Sequence, residues 1–118
     1  MTNEKPHFNI ENPTMQDFQE MVIKQKEYLG FDWSNQINEC FYLIEEVGEL
    51  AAAIRRSMKG GSIDHESRGE SSKQAIAEEI ADCMIFLLSI ANQHEIDLET
   101  AFRNKIHKNL NRTWVKKQ

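Results

Sequence analysis

A chain of 118 residues, 40% hydrophobic and 28% charged, suits one globular domain and leaves little room for a second. Its formal net charge of −5 argues against a nucleic-acid binder, because neutralising phosphates takes a basic surface. The longest apolar run, Cys83 to Leu88, cannot span a bilayer, and MTNEKPHFNI lacks the apolar core of a signal segment, so we expect no membrane partner and a cytoplasmic location.

The charge is uneven. Residues 1–102 hold 8 Lys/Arg against 19 Asp/Glu, whereas residues 103–118 hold 6 basic residues and no acid. A basic end is favourable at a helix C-terminus. Acidic and basic parts could also grip one ligand that carries both metal and phosphate. Cys40 and Cys83 form no C-x-x-C pair and sit among apolar residues, so both read as small buried core residues.

Residues 1–12 are polar and read as a tail, with a short extended piece at Phe8-Asn9-Ile10. Asn12 or Thr14 can cap a first helix, with Pro13 tolerated at its start and Gly30 stopping it after Leu29. Phe18, Met21, Val22, Gln25 and Leu29 give it one apolar face. Ser34 can cap a second helix that ends at Gly60-Gly61. Its apolar set is Ile37, Cys40, Ile44, Val47, Ala51, Ile54 and Met58. Residues 60–72, GGSIDHESRGESS, read as a loop. A third helix runs from about Ser72 to about His94, and its IADCMIFLLSIA stretch is apolar all round, which places it at the centre of a bundle. Asp97 can cap a fourth helix with Phe102, Ile106 and Leu110 on one face. No convincing strand is found. The expected fold is all-α: four largely antiparallel helices over residues 13–114, a basic tail at 115–118, and a core completed by oligomerisation, because a chain this short buries only about two-thirds of its surface alone.

Four acids fit that scheme poorly. Glu46 and Glu49 lie about 60° apart on the second helix, with Glu46 close to Leu43 and Leu50 and Glu45 further round. Glu79 and Asp82 repeat the spacing on the third, on a stripe that Phe86 and Ile90 continue. Acids at this spacing are often just solvated or paired with a base, and Glu78-Glu79 could simply sit in a helix's first turns. Asp82 is harder to place so, because its neighbours are nearly all apolar. Buried carboxylates repel one another by a few kcal/mol per close pair at an effective dielectric near 20. A hard cation such as Mg²⁺, which prefers oxygen ligands, reverses that sign. On the fourth helix Lys105, Asn109 and Arg112 fall within about 60° of one another and offer donors to phosphate oxygens, if they are not merely a solvated basic face.

The run Glu45-Glu46-Val47-Gly48-Glu49, then Glu78-Glu79-Ile80-Ala81-Asp82, then Lys105-x-x-x-Asn109-x-x-Arg112, resembles the signature of the MazG-like all-α nucleoside triphosphate pyrophosphohydrolases. The likeness spans about residues 20–114. It implies Mg²⁺, with Mn²⁺ as a substitute, held by Glu46, Glu49, Glu79 and Asp82. It implies substrate contacts at Lys105, Asn109 and Arg112, and an aromatic at Trp33 that encloses the nucleotide. Phe86, one turn past Asp82, is placed to meet sugar or base, or is plain core. Either Glu45 or Glu49, if not fully used as a ligand, could act as general base. The implied reaction is hydrolysis of a (d)NTP to (d)NMP and pyrophosphate, carried out by a homodimer or homotetramer. Rival readings are a phosphoribosyl-ATP pyrophosphatase or dUTPase-like enzyme of the same fold, and a non-catalytic helical interaction module whose acids bind metal for stability. No P-loop is present, the only Glu-x-x-His is Glu4 to His7 in the tail, and His65, His94 and His107 lack metal-ligand spacing, so zinc and di-iron sites are not expected.

Overall fold

The computed structural model describes residues 4–31, 36–59, 62–63 and 65–112, of which 36, 59, 62–63 and 65–71 are described by their backbone. Helix α1 (Met15–Leu29) starts on a capping box: the Thr14 hydroxyl accepts from the Asp17 N–H at 3.2 Å and the Asp17 carboxylate accepts from the Thr14 N–H at 2.8 Å. It ends at Gly30, whose φ of 70° is the left-handed conformation that closes a helix and favours glycine. Helix α2 spans Gln36–Ser57; the candidate cap Ser34, and Trp33 with it, lie outside the described residues. Helix α3 spans His65–Gln93 and α4 spans Leu98–Leu110. Asp97 caps α4, accepting from the Glu99 N–H at 3.1 Å and the Thr100 hydroxyl at 2.9 Å.

The all-α four-helix architecture is therefore present, with one small addition. Between α2 and α3 the chain makes a hairpin of two-residue strands, β1 (Met58–Lys59) and β2 (Ser62–Ile63), antiparallel with Met58 opposite Ile63. The segment read as a loop over 60–72 is corrected in its second half, because α3 begins at His65. Glycine and serine mislead here. Once the long apolar stretch downstream has nucleated the helix, extending it by a residue is cheap, and one glycine costs only about 1 kcal/mol.

Helix α3 packs most broadly on α2 and then on α1, while α4 rests on α1. The buried face of α2 differs from the expected one. Glu39, Leu43, Glu46, Leu50, Ala53 and Ser57 fall within about 40° of a single direction. This stripe is the one that turns inward: Glu39, Ala53 and Ser57 are buried and Leu43, Glu46 and Leu50 half-buried. The richer apolar set is centred about 110° further round the helix, with Ile37 and Ile44 each 66% exposed and Cys40 exposed among them. So Cys40 is not a core residue, whereas Cys83 is. Hydrophobic content alone picked the wrong side of α2, because two glutamates occupy the seam. Nor is α3 enclosed all round, since Ile80 and Leu87, two turns apart on one face, are about half exposed. Phe102, Ile106 and Leu110 on α4 are exposed as well. Among the described residues the buried apolar ones, Val22, Ala53, Cys83, Leu88 and Ala91, are mostly small. The radius of gyration, 17.7 Å, exceeds the roughly 13–14 Å of a closed domain of this length. One chain thus leaves much apolar surface in water.

Polar groups fix the end of α1 nearest the α3–α4 turn. The buried Gln19 side chain donates to Asn92 Oδ1 at 3.0 Å and to the Ile96 carbonyl at 2.9 Å, and accepts from the Leu98 N–H at 3.1 Å. Asn92 donates back to the Gln19 carbonyl at 3.0 Å. Replacing Gln19 strands these partners, so Gln19→Leu is expected to cost about 2–4 kcal/mol, read as a lower urea midpoint at unchanged slope. An unmoved midpoint would show that the network contributes nothing net.

Candidate active site

Two antiparallel helices define the site. Glu39 on α2 accepts a hydrogen bond from Ser89 on α3. Seven residues on, Glu46 meets Asp82, which lies seven residues back from Ser89. A seven-residue step is two turns, so both polar rungs stand on the same inward seam, about 10 Å apart.

The two rungs differ in how their charge is met. Glu39 has the Lys26 ammonium at 2.7 Å. At the second rung, carboxylate oxygens of Glu46, Glu79 and Asp82 all lie within 4.8 Å of one another. Among the described residues no ion pair reaches any of the three. Glu79 Oε2 is buried there without a hydrogen-bond partner among those residues. Burial pushes the Glu46 carboxyl above its ordinary value. The charges of Asp82 and Glu79, a hydrogen bond to Glu79 and the charge of Glu49 push it the same way.

A divalent cation fits these residues. The donor set is all carboxylate oxygen, and one oxygen is already buried and unpartnered. The neighbouring Cys83 thiol does not offer a soft alternative. Burial, with Glu46, Asp82 and Glu79 nearby, raises its proton affinity, so it stays a thiol rather than a metal-binding thiolate.

Of the other expected site residues, Glu49 stands outside the triplet, though close enough to act on Glu46 through its charge. Glu45 is exposed and further round α2. Phe86 stacks on Tyr42 at 5.9 Å and lines a cavity of about 230 Å³ together with Gln25, Lys26, Leu29, Phe31, Ile85 and two of the acids, Glu46 and Asp82. Lys105 and Asn109 lie on α4 and Arg112 just past its end; none of them lines that cavity, and α4 packs on α1. Trp33 is outside the described residues. Sequence reasoning missed the rung of Lys26, Glu39 and Ser89. Two signals pointed to it: Glu39 is seven residues before Glu46 on the Leu43–Leu50 stripe, and Ser89 is a polar residue inside the apolar run.

No helix among the described residues is long and apolar enough to cross a membrane. No curated protein matches the chain. The family model of the MazG nucleotide pyrophosphohydrolase domain matches residues 36–114, a span that opens with α2 and takes in both acid-bearing helices and α4. With residues 36–114 matched, most of its length, the chain belongs to the MazG nucleotide pyrophosphohydrolase domain family.

Proposed function

We propose that this protein hydrolyses nucleoside triphosphates, ribo- or deoxyribo-, to the monophosphate and pyrophosphate with bound Mg²⁺, Mn²⁺ substituting, as a cytoplasmic house-cleaning enzyme of the nucleotide pool. The observation that carries the reading is the triplet of mutually close carboxylates with one buried, unpartnered oxygen. Such a cluster is costly in the empty fold and is relieved by a hard cation that a triphosphate can share.

In this reading Glu46, Glu79 and Asp82 hold the cation, with Glu49 beside them. When bound, the ion neutralises phosphate charge and lowers the pKa of a coordinated water. Glu49, the flanking carboxylate nearer the triplet, accepts the water's proton as it attacks phosphorus; Glu45 is the more remote candidate. Phe86 forms part of the apolar wall for the nucleoside. Lys105, Asn109 and Arg112 are assigned to the phosphates, where their donors stabilise developing charge. Since α4 packs on α1 and its stripe does not line the cavity beside the acids, the stripe is assigned to act in a homodimer or homotetramer, for which the exposed apolar face around Ile37 and Ile44 is the support. Sedimentation at micromolar concentration is expected to give a dimer or tetramer, and a monomer would remove that part of the reading.

The test is release of pyrophosphate from a panel of ribo- and deoxyribonucleotides, with Mg²⁺ and with a chelator. Activity on several triphosphates, lost with the chelator, is the expected result. Activity confined to phosphoribosyl-ATP or to dUTP would narrow the substrate and keep the site. No release from any substrate by folded protein would leave a metal-stabilised interaction module in its place.

A further inference from the structure

The hydrolytic reading uses only one of the two polar rungs. The other is as deliberately built. Glu39 is 1% exposed, and its Oε1 accepts from both Lys26 Nζ, at 2.7 Å, and the Ser89 hydroxyl. Its Oε2 is buried without a hydrogen-bond partner among the described residues. A buried ion pair is weak evidence for stability, because desolvation offsets the attraction, so its presence calls for another use. Lys26 supplies one. The same side chain lines the cavity that Glu46 and Asp82 border.

That cavity has lining of two kinds. Leu29, Phe31, Ile85 and Phe86 give apolar walls suited to a flat ring. Gln25 and Lys26, neighbours on α1, supply its hydrogen-bond donors, and the acids only accept. A cation shared by the acid triplet and a triphosphate would bring the nucleoside next to these walls. Lys26 is ill suited to the polyphosphate itself, because Glu39 cancels its charge. A charge-cancelled ammonium is a directional donor, and it fits a neutral acceptor such as a ring carbonyl.

We propose that Lys26, anchored by Glu39 and Ser89, selects the nucleobase by donating to a ring carbonyl, with Gln25 beside it. Bases that carry a carbonyl (uracil, thymine, guanine, cytosine) are then favoured over adenine, which has none. Glu39 and Ser89 are positioning residues that act through Lys26. The inference rests on the hydrolytic reading for the identity of the ligand.

The test compares dUTP and dGTP with dATP in the presence of Mg²⁺, by kcat/KM, and measures binding of the α,β-methylene analogues by calorimetry. Because Lys26→Met alone would strand a buried carboxylate, it is made together with Glu39→Gln, and Glu39→Gln is also made singly; melting curves confirm folding. The wild type is expected to prefer the carbonyl-bearing bases about 10-fold, the size of one well-placed hydrogen bond. In the double variant that ratio falls toward one, through KM rather than kcat, and in Glu39→Gln it falls part of the way. A merely structural role would weaken all bases alike and leave the ratio standing. An unchanged ratio in the double variant, or a wild type that favours adenine, overturns the inference and spares the hydrolytic reading. Lys26-dependent, base-selective binding without hydrolysis upholds the inference and overturns that reading. Folded wild type that neither binds nor hydrolyses overturns both.

Discussion

Asp82→Asn is expected to lower pyrophosphate release by at least about a hundredfold while making the metal-free protein more stable. The two effects share one cause. Asp82 lies within 4.8 Å of the Glu46 and Glu79 oxygens, and its charge is the first electrostatic contribution raising the proton affinity of Glu46. Removing the charge relieves repulsion in the empty site. Solvent already softens that repulsion, so the gain is roughly 1 kcal/mol, or several degrees in Tm for a domain of this size. The same change removes one of three cation ligands and with it the charge stabilisation that phosphoryl transfer needs. Stability gained and activity lost together mark a site held under strain for function. Melting of the chelator-treated variant, alongside its turnover, checks both halves. A variant that loses stability as well as activity would mean that Asp82 is a structural residue.

Magnesium is expected to raise Tm far more at pH 8 than at pH 5. The folded chain holds the Glu46 proton more tightly than the unfolded chain does. For a carboxyl raised in this way, the empty fold is favoured at low pH, and the contribution is lost as pH rises through the unfolded value toward the folded one. The cation binds the deprotonated cluster, so protons compete with it at pH 5 and no longer do at pH 8. At 10 to 100 times its Kd the ion would add about 1.4–2.7 kcal/mol at the higher pH. Thermal scans with and without Mg²⁺ at the two pH values measure this, and an equal shift at both would contradict it.

The parts of the fold legible in the sequence are those set by local chemistry. Thr14 with Asp17, Gly30, and Asp97 each fix a helix end through bonds made within a few residues, so reading the residues was enough. Asp82 was legible for another reason: an acid inside an apolar run has few structural uses, and it stands in the triplet. The inward side of α2 was not legible. Counting apolar residues favours the face of Ile37 and Ile44, yet the seam is the stripe of Glu39, Leu43, Glu46 and Leu50, whose acids are accommodated only by partners on α1 and α3. That information is tertiary and no period on α2 contains it. Lys26 was invisible for the same reason, as its partner lies 13 residues away on the next helix. The upstream extension of α3 to His65 reflects propagation from its apolar half, which outweighs the local preference of serine and glycine for loops.

The central claim is that Glu46, Glu79 and Asp82 together hold one hard cation on the α2–α3 seam. Titration of Mn²⁺ followed by electron paramagnetic resonance, on wild type and on the Glu46→Gln/Glu79→Gln/Asp82→Asn triple variant, addresses it directly. The account predicts saturable binding to wild type and its loss in a triple variant that melts no lower than metal-free wild type. Saturable binding of equal strength in both proteins would place the metal elsewhere and contradict it.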